Sequence, residues 1–209
     1  TPEFPPDLAR KVNQDLIEFG IENTPNYHPC TPCGYDMRDA GITSVQEMAF
    51  IMGNALQYYG DAIKERGVKF DDFKPMVFSM SSESDFFETI AKFRATRRLW
   101  AKLAKERLGA TKPRNMACRI GIRTAGNSIY PQKPINNTAR ITMQILAAVL
   151  GGVQAIDPSG IDETFGLPSQ ESRIFELDLQ HIIAHEANVP LTVDPLGGSY
   201  YVEWLTNKL

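Results

Sequence analysis

The sequence predicts an α/β fold of the parallel type, a (β/α)8 barrel represented by about five βα units. Short β-forming runs alternate with long helical stretches without a break from His28 to Leu209, the rhythm of a parallel sheet with helical crossovers. A closed barrel needs eight strands and usually about 250 residues, whereas only five units are legible here. The last unit starts a helix near Tyr200 and stops at Leu209. The expectation is a partial barrel completed by further strands of the same polypeptide or of a partner.

Taken in order, Thr1–Asp7 is proline-rich and reads as an arm or linker, and 8–209 as the barrel domain. Leu8–Gly20 has helical spacing and ends on a glycine suited to a C-cap. The first unit is strand Tyr27–Cys33 with helix Ser44–Arg66, where Ser44 and Glu47 suggest a capping box and Gly67 a stop. The second is Met76–Met80 with Asp85–Leu108, the third Asn115–Arg123 with Asn136–Leu150. Asn136–Leu150 is apolar nearly all round, as a helix buried on several sides would be. Val153–Ile156 with Pro168–Asn188 forms the fourth unit, and Leu191–Val193 with the helix near Tyr200 the fifth.

Composition narrows the function classes. A net charge of −3 gives no electrostatic case for nucleic acid or an anionic membrane. No apolar run reaches transmembrane length, and the first residues lack a signal-peptide pattern. Three cysteines do not suggest a disulfide framework. The expectation is a soluble, cytoplasmic protein.

Several stretches together resemble one family. Phe86–Trp100 (FFETIAKFRATRRLW), Pro134–Gln154 (PINNTARITMQILAAVLGGVQ) and Asp194–Leu205 (DPLGGSYYVEWL) are similar to the catalytic barrel of methylmalonyl-CoA mutase and its acyl-CoA mutase relatives. Gly34–Gly41, Phe70–Pro75 and Asp162–Pro168 fit the same pattern in the same order. The resemblance implies the C-terminal part of a barrel whose bore admits a CoA thioester. It implies an isomerase that rearranges the carbon skeleton of an acyl-CoA by radical chemistry, with adenosylcobalamin held mainly by a separate domain. That domain's cobalt-ligating Asp-x-His-x-x-Gly motif does not occur here. The implied partners are the acyl-CoA, the rest of the barrel and the cobalamin-binding domain or subunit, in an oligomer. The isolated chain would be inactive.

Residue by residue, the resemblance puts Tyr35 and Asp36 beside the reacting carbons and Arg123 beside a polar substrate group. Asp36 stands where the family has histidine, and Arg123 where it has glutamine. A pair between Asp36 and Arg123 across the bore is therefore expected. Asp39, Asn127 and Glu163 would face the corrin, Asn127 replacing a tryptophan. Thr31, Arg119 and Gln154 would contact the substrate, while Met76 takes the place of an arginine for the CoA phosphates. If the first strand is extended, Pro29, Thr31 and Cys33 share the bore face and His28, Cys30 and Pro32 the other. A barrel threaded by a ligand needs small or polar residues there, where filled barrels carry branched apolar ones.

Two alternatives come from other classes. One is a non-catalytic subunit that stabilises a mutase partner, favoured by the changed histidine and glutamine positions. The other is a redox or zinc protein built on Cys30-Thr31-Pro32-Cys33. An extended strand would point those two sulfurs to opposite faces, and no metal site is expected. His181 and His185 share a helix face but read as solvated or packing residues. Arg94, Arg97 and Arg98 suggest a helix face meeting acidic neighbours or a partner. Gly151-Gly152 and Gly197-Gly198 read as a helix stop and a tight turn, and Trp100 and Trp204 as core residues.

Overall fold

A computed structural model describes residues 5–24 and 26–209. Among them the chain forms one open parallel sheet of three strands, with helices between them, as a partial α/β barrel would. α1 (Pro6–Asn23), α2 (Tyr35–Asp39) and α3 (Ser44–Arg66) precede the first strand. β1 (Val77–Ser82) leads through α4 (Phe86–Arg107) and the short α5 (Pro113–Met116) to β2 (Arg119–Thr124). α6 (Asn136–Leu150) then crosses to β3 (Ala155–Asp157), and α7 (Gln170–His181) runs into a π-helical turn at Ile182–Glu186 before α8 (Tyr200–Lys208). Among the described residues no helix is long and apolar enough to cross a membrane.

The sheet has two unlike faces because side chains alternate along a strand. Phe78 and Met80 of β1 and Ile120 and Ile122 of β2 are buried. Phe78 packs edge-on against Trp100 of α4, with ring centroids 5.1 Å apart. Phe70, Phe73 and Tyr59 extend that aromatic core. A second cluster around Ile141, Ile145, Leu179 and Ile183 joins α6 to α7 and the π-helical turn.

Several expectations need correction. The segment expected as the strand Tyr27–Cys33 makes only one isolated parallel bridge, Cys33 to Ser79. Pro29 and Pro32 fix φ and remove two N–H donors from it, although Ser79 still donates to the Pro32 carbonyl and accepts from Gly34. Leu191–Val193 is not a strand: Val189–Leu191 is a 3₁₀ turn, with Asn188 and Asp194 at positive φ on either side. Among the described residues no strand lies beside it to pair, and Val193 is 93% exposed. α1 opens at Pro6 and passes through Gly20, which serves close approach: a Cβ there would lie 3.2 Å from Cγ of Pro29. The arm's Thr1–Phe4 lie outside the described residues. Trp204 is 55% exposed, unlike the fully buried Trp100.

The capping box of α3 is Thr43 with Gln46, so Glu47 is free for another task. Past Cys33 the chain turns away into α2, and the Gly34 carbonyl accepts from Arg38 within that helix. The edge of β1 thereby loses its neighbour at Ser81. Glu47 Oε1 accepts the Ser81 N–H at 2.9 Å, and Lys92 Nζ donates to the Ser81 carbonyl at 2.7 Å. Lys92 and Glu47 are themselves paired at 2.6 Å, both side chains fully buried. The ion pair thus stands in for the missing strand. Gly34 is required beside it, since a Cβ would come within 2.6 Å of Glu47 Cγ.

Lys92→Met should lower the unfolding free energy by about 3–5 kcal/mol, because it strands a buried carboxylate. The double variant Glu47→Leu/Lys92→Met should remain destabilised, since Ser81 then has two unpartnered backbone groups at roughly 1–3 kcal/mol each. Full recovery in denaturant unfolding would contradict the strand-substitute role.

Candidate active site

The face of the sheet opposite the aromatic core is lined by small and polar residues. In register, one row reads Cys33, Ser79, Gly121 and Ala155, and the next reads Ser81, Arg123 and Asp157. Filled barrels place branched apolar side chains at such positions. Thr31 and Cys33 are exposed while Cys30 and Pro32 are buried, as the expected alternation has it, but His28 and Pro29 are both half-buried and do not alternate.

At the C-terminal end of the strands, α2 carries Tyr35 under the Arg123 guanidinium, 5.0 Å from ring centroid to Cζ. Arg123 Nε lies 2.9 Å from Asp157 Oδ2, an ion pair without hydrogen-bond alignment. Asp157 Oδ1 is 3.7 Å from Arg173, which also pairs with the buried Glu176 at 2.8 Å. Burial pushes the Glu176 carboxyl upward in pKa, and Arg173 offsets part of that rise. The Tyr35 phenol is pushed up to about 12, chiefly by burial and then by the neighbouring Asp39 carboxylate. The turn Gly126–Ser128 closes over this pair: a Cβ on Gly126 would lie 3.1 Å from the Tyr35 hydroxyl and 3.3 Å from Asp39 Oδ2.

The core ion pair reaches this end through Ser81. Its hydroxyl donates to Glu83 at 2.7 Å, and Glu83 is 3.4 Å from Arg38 of α2. Asn127, exposed on the Gly126–Ser128 turn, donates to the Arg38 carbonyl at 3.5 Å. Glu163 sits on the 3₁₀ turn after β3 and accepts from the Gly160 N–H at 3.1 Å.

Tyr35, Asp39, Arg123, Asn127 and Glu163 thus gather at one end of the sheet. Asp36 is exposed on α2 and has no ion-pair partner among the described residues. The expected pair between Asp36 and Arg123 is replaced by Arg123–Asp157, because β2 and β3 bring those two residues into direct register. Asp157 was missed because it ends a short apolar run and reads as a loop residue. Arg173 and Glu176 have only an ordinary helix spacing as a signal.

The other end of the sheet is basic. Arg119 opens β2, and its charge and that of Lys74 depress the His28 pKa beyond the larger effect of burial. Gln154 lies near it with both ends of its amide on the backbone, accepting from Ile120 at 2.7 Å and donating to Gly152 at 2.8 Å. Met76 is buried in the core.

Cys30 is held by burial at a pKa of about 11, contrary to the depressed value a redox thiol needs. Both Cys30 and Cys33 are free thiols, and no three potential metal ligands cluster among the described residues. His181 and His185 are exposed with rings 5.8 Å apart. Arg94 pairs with Asp194 and Glu203, Arg97 donates to the Gly151 and Gly152 carbonyls, and Arg98 donates to Asn207.

A phenol with its pKa raised to about 12 stays protonated where ordinary tyrosines ionise near 10. Its contribution to stability should be complete below about pH 10 and lost as pH rises toward 12. Subtracting the alkaline ultraviolet titration of Tyr35→Phe should isolate this late-ionising phenol. Asp39→Asn should move it toward the ordinary value; an unchanged titration would contradict the pairing.

The family model described as methylmalonyl-CoA mutase matches residues 1–209. The 2-hydroxyisobutanoyl-CoA mutase large subunit of Aquincola tertiaricarbonis is 40% identical over 206 residues, covering 98% of this chain and 36% of that protein. Methylmalonyl-CoA mutase of Escherichia coli strain K12 is 37% identical over 207 residues, 99% of this chain and 29% of that protein. The mitochondrial methylmalonyl-CoA mutase of Homo sapiens is 34% identical over 207 residues, 99% of this chain and 28% of that protein. The chain therefore spans between 28% and 36% of the length of these relatives. Matched from end to end, this chain belongs to the methylmalonyl-CoA mutase family.

Proposed function

We propose that this chain forms part of the barrel wall of an adenosylcobalamin-dependent acyl-CoA mutase, an intramolecular transferase. The observation that carries this reading is the row Cys33–Ser79–Gly121–Ala155, which leaves the bore face without bulky side chains. A strand of six residues spans roughly 20 Å, so β2 carries a basic residue, Arg119, at one end and Arg123 near the other. The CoA phosphates would meet Arg119 and Lys74, and the acyl end would reach Tyr35 and Arg123. Thr31 and Gln154 would lie along the path between the rims. Relatives named for a methylmalonyl and for a 2-hydroxyisobutanoyl thioester make an acyl-CoA the natural substrate class.

The donor set at the C-terminal end suits a corrin, whose periphery bears amides. Asp39 Oδ1 is buried without a partner, and Asn127 exposes an amide. Asp39, Asn127 and Glu163 would hold the cofactor's rim. Bound adenosylcobalamin would supply a carbon radical through homolysis of its cobalt–carbon bond. This chain's own residues would position the acyl group and keep water from it: Tyr35 covers Arg123, and the Gly126 turn seals Tyr35 against Asp39. Asp36 would stand at the edge of the acyl site.

Residues 8–209 would form the barrel portion, and of the arm expected at 1–7 Pro6 and Asp7 already belong to α1. The rest of the barrel would cover the unpaired edge of β3 and the exposed Val193. Three free thiols suit a reducing compartment such as the cytoplasm.

The test is isomerisation of acyl-CoAs by the intact enzyme loaded with adenosylcobalamin. Gly121→Leu should weaken acyl-CoA binding about tenfold or more, equivalent to ~1.4 kcal/mol, with unfolding behaviour retained. Unchanged affinity would contradict passage of the thioester along this face.

A further inference from the structure

We infer that Arg38 is a positioning residue: with Glu83 it clamps α2 to the end of β1, and so sets where Tyr35 stands against Arg123. The clamp is made within this chain, while its consequence for turnover rests on the proposed mutase reading. α2 has only five residues, and helices shorter than about 12–15 residues are marginal on their own. Neither Gly34 nor Ala40, which flank it, supplies a side-chain cap. Met37 packs against the core and Tyr35 is buried, but apolar contact is non-directional. The directional contacts of α2 with the sheet end come through Arg38. Its guanidinium donates to the Ile42 carbonyl, and its Nε lies 3.4 Å from Glu83 Oε1. Its own carbonyl accepts from Asn127 at 3.5 Å. One residue thereby ties α2 to the loop that follows it, to the end of β1 and to the Gly126–Ser128 turn.

The other half of the clamp is itself fixed. Glu83 accepts from the Ser81 hydroxyl at 2.7 Å, and its carbonyl accepts from Thr89 at 3.4 Å. Ser81 is held in turn through its N–H and its carbonyl by the Glu47–Lys92 pair. The Arg38 and Glu83 side chains are 19% and 10% exposed, so this chain's own residues enclose most of their contact. Charge joins them rather than an aligned hydrogen bond, since Arg38 Nε has no hydrogen-bond partner. Tyr35 lies three positions before Arg38 and Asp39 one position after, so a shift of this short helix moves both. The charged groups facing the phenol are Asp39, Arg123 and Glu163, and a loosened α2 would let water reach it.

The experiment follows the Tyr35 phenol in the intact enzyme by alkaline ultraviolet difference titration against Tyr35→Phe. Arg38→Met and Glu83→Gln should each bring its ionisation down from about 12 toward the ordinary 10. Charge alone would move it in opposite directions, because losing a nearby cation raises a phenol's pKa and losing a nearby anion lowers it. Arg38→Lys keeps the charge facing Glu83 and should keep the late ionisation. Trp100→Phe, on the opposite face of the sheet, should lower stability and leave the titration where it is. With acyl-CoA and adenosylcobalamin, Arg38→Met and Glu83→Gln should lower kcat about tenfold or more, with thioester affinity within about twofold. An unmoved phenol, shifts of opposite sign in the two variants, or unchanged kcat would overturn the inference. Should Arg38→Met fail to fold, Glu83→Gln decides, since its amide oxygen still accepts from Ser81. If the unmodified holoenzyme turned over no acyl-CoA, the mutase reading would fall, and the titration would still decide whether Arg38 holds Tyr35.

Discussion

Every backbone group on a buried parallel strand needs a partner, and at Ser81 the ordinary partner is missing because the preceding segment has turned into α2. The Glu47–Lys92 pair fills that place, one member accepting from the Ser81 N–H and the other donating to its carbonyl. This arrangement frees the chain to turn at Gly34 and lay Tyr35 across the end of the sheet. It also ties α3 and α4 to the same strand, and through Ser81 and Glu83 it reaches Arg38 of α2. A fully buried ion pair is seldom a net gain over apolar packing. Here it does something that apolar residues cannot, since both charges also terminate a strand edge.

The sheet then divides its labour by face and by end. Its aromatic side, with Phe78 against Trp100, holds the helices in place. Its other side is kept small by Ser79, Gly121 and Ala155, and becomes polar one row further on at Arg123 and Asp157. The polarity also runs along the strand, from Arg119 at one rim to the acid-rich cluster around Tyr35 at the other. An extended ligand with an anionic end and a small acyl end suits that gradient, which is the physical core of the mutase reading.

Much of the fold is legible in the sequence because helices announce their ends locally. Asn136–Leu150 is found where the apolar pattern put it, and Gly67 closes α3 in the left-handed conformation. Strands depend on neighbours, so the expected strands Tyr27–Cys33 and Leu191–Val193 reduce to a bridge and a 3₁₀ turn. The alternation of Thr31 and Cys33 against Cys30 and Pro32 was nevertheless readable without a full ladder. At the site, family likeness led to Tyr35, Asp39 and Arg123, but the partner of Arg123 was set by strand register, which a single sequence does not display. Glu47 reads locally as a capping residue because its partner Lys92 lies 45 positions away in the sequence.

The central claim is that an acyl-CoA lies along the Ser79–Gly121–Ala155 face with its acyl group at Tyr35 and Arg123. A structure of the intact enzyme with an acyl-CoA and adenosylcobalamin tests it directly. The account requires the pantetheine arm in contact with Gly121 and Ala155, and the phosphates near Arg119 and Lys74. A thioester bound outside the barrel, or a bore filled by side chains from the remaining strands, would contradict it.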